Sequence, residues 1–202
     1  MAFPEETVNI KMYGAFRTFT NAAAYLLDHY LVSPDGRPVR TWHHGPAGEG
    51  DCNKHSTPRE IDGAAGYLCC VKHPITWLNS MLTYLRGLRL GTQDVRPLAT
   101  LWSFQSKALI DFSERVETTT LWRYEDAMPS PDLVIVDCAD VFGLEALPGA
   151  KWPEKRMGRA GDDNRHLMAR RKINRVRASK QELQAFRNYL DEEVMDHLGY
   201  TA

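Results

Sequence analysis

The chain has 202 residues, 43% hydrophobic and 25% charged, and its 25 Lys and Arg nearly balance 26 Asp and Glu for a net charge of −1. That composition fits one globular domain, residues 1–202, with a full core, and argues against a general nucleic-acid binder, which carries a basic footprint over the whole domain. No apolar run approaches the roughly 20 residues of a membrane span, and the start Met-Ala-Phe-Pro-Glu-Glu is neither basic nor apolar, so a soluble, cytoplasmic protein without a membrane partner is expected.

Thr7 to Tyr13 reads as a strand. The stretch Met12-Tyr13-Gly14-Ala15-Phe16-Arg17-Thr18-Phe19-Thr20-Asn21 then converts it into a helix, Thr18 to Leu31, through a turn carrying an arginine and hydroxyls. Such a turn suits a phosphate: N–H groups and the dipole at a helix start favour an anion, and Arg17, Thr18 and Thr20 add donors. The triphosphatase pattern G-x-x-x-x-G-K-[ST] fails at Phe19. Ser33-Pro34-Asp35-Gly36 is a turn, Val39 to His43 a short second strand, and Gly45 to Thr57 a surface loop of the length that carries function.

Gly66 to Val71 is a short continuous apolar run, the signature of a strand covered on both faces. Pro74 suits the first position of a helix reaching about Leu90, with Ile75, Trp77, Leu78, Met81 and Leu82 at helical spacing. Pro97 to about Arg115 forms another, whose stripe of Leu98, Leu101, Trp102, Gln105, Leu109 and Phe112 reads as core. Thr118 to Arg123 is a third clear strand run, Ser130-Pro131 opens a helix through Val141, and Ser179 with Glu182 forms a capping box for one last helix ending near Leu198. Gly199 is its C-cap. This alternation predicts an α/β fold, a three-layer sandwich with a mostly parallel central sheet and its ligand site at the carboxyl ends of the strands.

Cys69 and Cys70 lie inside a strand run, so buried free thiols are expected. Cys52 and His55 lack two further metal ligands at sensible spacing, which favours a surface loop. Glu125-Asp126 reads as a capping or ion-pair element, and His73 as a residue shaping the turn before Pro74. Lys151 to Lys180 concentrates basic residues, either for a small polyanion or as a solvated face. Each strand ends in a polar cluster: Arg17 with its hydroxyls, His43-His44, Lys72-His73 and Arg123-Tyr124-Glu125. A parallel sheet brings these to one rim, a suitable place to transfer a charged group from an anionic donor.

These ordered motifs resemble the sulfotransferases that use 3′-phosphoadenosine 5′-phosphosulfate (PAPS), a family with a P-loop NTPase-like architecture. Arg17-Thr18-Phe19-Thr20-Asn21 is similar to the family's [RK]-S-G-T-[TN] loop for the 5′-phosphosulfate, with Phe19 in place of glycine. Lys72, Pro74 and Ser80 fit the spacing of its 3′-phosphate loop, and Trp122 to Ala127 resembles its Val-Arg-Tyr-Glu-Asp-Leu signature. Arg156-Met157-Gly158-Arg159-Ala160-Gly161-Asp162 matches the outline Arg-Lys-Gly-x-x-Gly-Asp, so the resemblance implies that Arg156 and Gly158 contact the 3′-phosphate. Trp42-His43-His44-Gly45 is similar to Trp-Lys-His-Gly, making His44 the base, or His43 if the register slips by one.

The resemblance implies in-line transfer of a sulfuryl group from PAPS to a hydroxyl, less readily an amine, of a small-molecule acceptor, leaving 3′-phosphoadenosine 5′-phosphate (PAP). His44 would take the acceptor proton and Arg17 would neutralise charge on the departing phosphate, with no metal required. The chain is short for the family, which implies an open acceptor site or one completed by a second subunit in a homodimer. Two other readings stay open at this point. One is a nucleoside-triphosphate-dependent kinase; the other is an inactive relative that binds a nucleotide or partner, with Phe19 blocking the cradle.

Overall fold

Four parallel strands carry the fold, and their order places the site. The computed structural model describes residues 7–15, 18–42, 55, 57–88, 94–152 and 177–201. In chain order, β1 (Val8–Gly14), α1 (Thr20–Tyr30), β2 (Leu31–Val32) and β3 (Val39–Trp42) are followed by β4 (Gly66–Val71), α2 (Pro74–Gly87) and α3 (Arg96–Arg115). The second half adds β5 (Thr119–Arg123), α4 (Tyr124–Ala127), α5 (Pro131–Phe142), β6 (Glu145–Ala146), α6 (Lys180–Arg187) and α7 (Glu192–His197). The main sheet runs β3-β1-β4-β5, all parallel, and β2 pairs with β6 in a small antiparallel ribbon.

β1 and β4 are buried along their whole length; β4 is accordingly apolar throughout, whereas β1 carries Asn9 and Lys11 at alternate positions, the Lys11 ammonium lying 4.8 Å from the centre of the Trp42 ring. Alternate residues still choose opposite faces. Ile10, Met12, Leu68 and Cys70 pack with Ala23, Leu26 and Leu27 of α1 and Ile135 and Cys138 of α5. Tyr13, Tyr67, Cys69 and Val71 pack with Trp77 and Leu78 of α2, Trp102, Leu109 and Phe112 of α3, and Phe186 and Val194 of α6 and α7. Helices on both faces of a parallel sheet make a three-layer α/β sandwich. Cys69, Cys70 and Cys138 are buried, and burial pushes the Cys69 and Cys138 thiols well up.

From β1 the chain leaves through α1, on one face, to β3; from β4 it leaves through α2 and α3, on the other face, to β5. Neighbouring strands whose connections diverge open a crevice at their carboxyl ends. Here that crevice lies between β1 and β4, where Gly14 is registered opposite Cys70. No helix among the described residues is long and apolar enough to cross a membrane.

Two expectations need correcting. The final helix is two: α6 stops at Arg187 and α7 restarts at Glu192, capped by Asp191, whose side chain accepts from the Val194 N–H at 3.2 Å. The Asp191 N–H in turn donates to Ser103 Oγ of α3 at 3.0 Å, fixing the break against the core. The predicted box is present, with the Ser179 side chain bound to the Glu182 N–H and the Glu182 carboxylate to the Ser179 N–H, and Gly199 adopts the left-handed φ of 64° that ends α7. The first helix starts at Thr20, not Thr18, with Phe19 as an N-cap that supplies no side-chain bond.

Asp28 of α1 accepts the Thr41 N–H at 2.7 Å and ties that helix to β3. Burial raises its carboxyl above the usual range, outweighing the Thr41 bond and the nearby Arg40 charge. A raised carboxyl favours folding while protonated, and that contribution is lost as pH rises through the folded-state value. Asp28→Asn, which keeps the acceptor, is therefore expected to melt above the wild type at pH 7, with the gap closing below about pH 4. Thermal unfolding across that range checks it; a variant less stable at pH 7 would count against it.

Candidate functional site

Gly14 ends β1 at the crevice, and its place is steric. A Cβ there would lie 2.6 Å from Thr18 Oγ1, 2.8 Å from Thr20 Cγ2 and 3.0 Å from the Cys70 carbonyl. The turn that follows folds onto itself: the Thr18 N–H and hydroxyl both donate to the Ala15 carbonyl, at 3.1 and 2.7 Å, and the Thr20 N–H donates to the Thr18 carbonyl at 2.9 Å. Thr20 is 2% exposed. The donors expected to face a ligand from Thr18 and from the Thr20 amide are thus spent inside the turn, a competition that short hydroxyl side chains commonly win. Phe19 does not turn back over Gly14; its ring packs edge-on against Tyr124 at 5.4 Å and Trp152 at 6.1 Å. Asn21 sits in the first turn of α1, partly exposed.

Across the crevice, at the end of β4, Lys72 Nζ donates to Ser80 Oγ at 3.1 Å. The strand end bends enough for a lysine and a serine eight residues apart to meet, because His73 caps α2, its Nδ1 accepting from the Ile75 N–H, and Pro74 occupies the first turn. Lys72 is 9% exposed, and its ammonium lies 4.4 Å from the centre of the Tyr124 ring. The Lys72 carbonyl accepts from the Trp102 indole at 2.9 Å, so α3 holds the same residue from behind. Tyr124 therefore touches both Lys72 and Phe19, joining the two sides of the crevice.

Beside this pair, Glu125 accepts the His73 N–H through both oxygens at 3.2 Å and the Tyr200 hydroxyl at 2.9 Å. Burial, then the Glu125 charge, pushes the Tyr200 phenol well up, so it stays a donor. Arg123 pairs with Asp126 and donates to the Leu198 carbonyl. The Glu125-Asp126 couple is thus structural, clamping the chain after α7 against the ends of β4 and β5.

On the α3 side of the crevice lies a cavity of about 70 Å³, bordered by Gly14, His55, Pro58, Leu101, Phe104 and Gln105. Its loop is held by two tyrosines whose rings pack in the core: Tyr13 donates to the Arg59 carbonyl at 2.8 Å, and Tyr67 receives the Ile61 N–H at 2.8 Å. His55 Nδ1 lies 2.8 Å from the Gly14 carbonyl. Sequence reasoning missed this histidine as a site residue, because its contact spans 41 positions and leaves no local pattern. Leu101, assigned to the core stripe of α3, is 39% exposed at the cavity mouth, whereas Trp102 is buried as expected.

Of the residues singled out from the sequence, Thr18, Phe19, Thr20, Asn21, Lys72 and Ser80 all stand at the carboxyl rim of the sheet. Arg17, His43, His44, Arg156 and Gly158 lie outside the described residues. No group of three or more His, Cys, Asp or Glu among the described residues is arranged to hold a metal.

Fold and rim together define an α/β protein with a parallel main sheet and a part-buried lysine-serine pair at its topological switch point. No protein-family model matches the chain, and no curated protein matches it either. Among solved structures, the chain is similar to a sulfotransferase from Alicyclobacillus acidocaldarius, at 15% identity and a TM-score of 0.49, over 96% of this chain and 97% of that one. Likeness of that degree decides nothing about activity, which has to come from the residues.

Proposed function

We propose that this protein is a PAPS-dependent sulfotransferase moving a sulfuryl group to a hydroxyl of a small molecule. The observation that supports it most is the meeting of Lys72 and Ser80 beside the β1 turn: a largely buried ammonium lies 3.1 Å from a half-buried hydroxyl, which rests on the Thr76 carbonyl at 2.9 Å and would turn to a phosphate dianion reaching the pair. In this reading Lys72 and Ser80 hold the 3′-phosphate, and Arg17 with the turn from Gly14 to Asn21 faces the 5′-phosphosulfate. Arg156 and Gly158 would add to the 3′-phosphate contacts, and His44, or His43, is the base that the sequence motif nominates. When bound, the nucleotide supplies the activated sulfuryl group. The protein's part is to place the acceptor oxygen in line, offset charge on the departing phosphate and accept one proton.

One observation favours a second reading, a relative that binds the nucleotide without turnover: the Thr18 and Thr20 donors close the turn instead of facing outward. Calorimetry with PAP and with adenosine 5′-phosphate, followed by incubation with labelled PAPS and a panel of hydroxylated acceptors, separates the two. PAP bound well above adenosine 5′-phosphate, with sulfated product by mass spectrometry, is the expected result. PAP binding without product favours the second reading, and no PAP binding ends both.

A further inference from the structure

Phe19 is the N-cap of α1, and its side chain gives that cap nothing. Helix starts favour Ser, Thr, Asp or Asn, whose side chains bond the free N–H groups, or Gly, which has none. The Phe19 carbonyl accepts the Ala22 and Ala23 N–H groups at 2.9 and 3.0 Å, but the ring makes no cap bond. It is committed elsewhere. Half-buried against the core, it meets Tyr124 at 5.4 Å and 61° and Trp152 at 6.1 Å and 84°, both the edge-on geometry that aromatic rings prefer. Trp152 is itself fixed, its indole donating to the Met128 carbonyl at 3.0 Å, and the Met128 N–H donates to the Tyr124 carbonyl at 3.0 Å. These contacts close a circuit from Phe19 through Tyr124, Met128 and Trp152 back to Phe19.

Lys72 joins the circuit at Tyr124. The Trp102 indole holds the Lys72 carbonyl at 2.9 Å, but the ammonium sits at the end of a flexible four-carbon stem and has to be held separately. Two groups hold it: Ser80 Oγ at 3.1 Å and the Tyr124 ring, whose centre lies 4.4 Å away. Ser80 is placed by α2, with its hydroxyl on the Thr76 carbonyl at 2.9 Å. The Tyr124 ring rests on Phe19.

We infer that Phe19 is a positioning residue for the Lys72-Ser80 pair: through the Tyr124 ring it holds the Lys72 ammonium beside Ser80, so that recognition of a phosphate there depends on a side chain that does not touch it. For the identity of that phosphate the inference rests on the nucleotide reading above. A leucine at position 19 would keep the apolar burial and lose the ring contact. Tyr124 could then turn, the ammonium would lose its aromatic face, and a phosphate arriving at Ser80 would first have to order the lysine at the expense of its rotamer freedom.

The test uses protein carrying ¹³C-labelled lysine, with the Lys72 signal assigned by Lys72→Arg. Protons over an aromatic face are shielded by its ring current, so the Lys72 ε-methylene is expected upfield of the exposed lysines. Tyr124→Phe should keep that shift, whereas Phe19→Leu and Tyr124→Leu should each move it towards the others. In calorimetry, Phe19→Leu should cut the preference for PAP over adenosine 5′-phosphate by about three- to tenfold, leave affinity for adenosine 5′-phosphate unchanged, and cost little more when added to Tyr124→Leu. Three results overturn the inference: a Lys72 signal unmoved by Phe19→Leu, equal weakening of both nucleotides, or losses from Phe19→Leu and Tyr124→Leu that add in full. A wild-type protein that ignores PAP, with a Lys72 signal that still answers to Phe19→Leu, would instead overturn the sulfuryl-donor reading and leave the placing of Lys72 by Phe19 standing.

Discussion

Lys72→Ala is expected to cut the preference for PAP over adenosine 5′-phosphate by about 10- to 100-fold, the range of a hydrogen bond to a charged group. The reason lies in the burial of the ammonium: at 9% exposure Lys72 has exchanged water for Ser80 Oγ and the face of Tyr124, so a phosphate arriving there meets a cation already stripped of much of its hydration. Ser80→Ala removes one neutral partner and should cost about tenfold or less. Calorimetry with the two nucleotides separates this from a folding defect, because only the 3′-phosphate distinguishes them. If Lys72→Ala weakened both nucleotides alike, the lysine would be a packing element of the α2 start and not a phosphate ligand.

Gly14→Ala is expected to destabilise the protein by about 1 to 3 kcal/mol, the usual cost of forcing a methyl group into a filled site. For a chain of this size that corresponds to a fall in melting temperature of roughly 2 to 12 °C. Two of the three atoms met by the new methyl belong to Thr18 and Thr20 and the third is the Cys70 backbone oxygen, so relief is only partial. Thr18→Ala in the same chain should recover some of the loss, even though by itself it removes the hydroxyl bond to Ala15. That non-additivity is the signature of contact, and strictly additive melting shifts would contradict the packing described.

What was legible in the sequence and what was not divide along chain distance. The unbroken apolar run Gly66 to Val71 announced a buried parallel strand, while the interval from Lys72 to Ser80, with Pro74 between, stands out only by its resemblance to a family's phosphate loop, and the two side chains meet. Both are local patterns. The bonds from Tyr13 to Arg59, His55 to Gly14 and Trp102 to Lys72 span 46, 41 and 30 residues, and no periodicity encodes such pairs. Local competition hid the rest. The Thr18 hydroxyl was read as a ligand donor because its type suits that task, yet the Ala15 carbonyl three residues back satisfies it first. The pause between α6 and α7 escaped notice because Leu183, Phe186, Leu190 and Val194 keep helical spacing across it, while the Asp191 cap is a single residue.

α3 has a division of labour along its circumference. Its inward positions, Trp102, Leu109 and Phe112, brace the core and the Lys72 carbonyl, while Leu101, Phe104, Gln105 and Ala108 face the neighbouring hollow. Side chains on the outward stripe are therefore interchangeable without moving the brace. Changes at those four positions, spread over about two turns of helix, would reshape the hollow while the Trp102 indole stays on the Lys72 carbonyl.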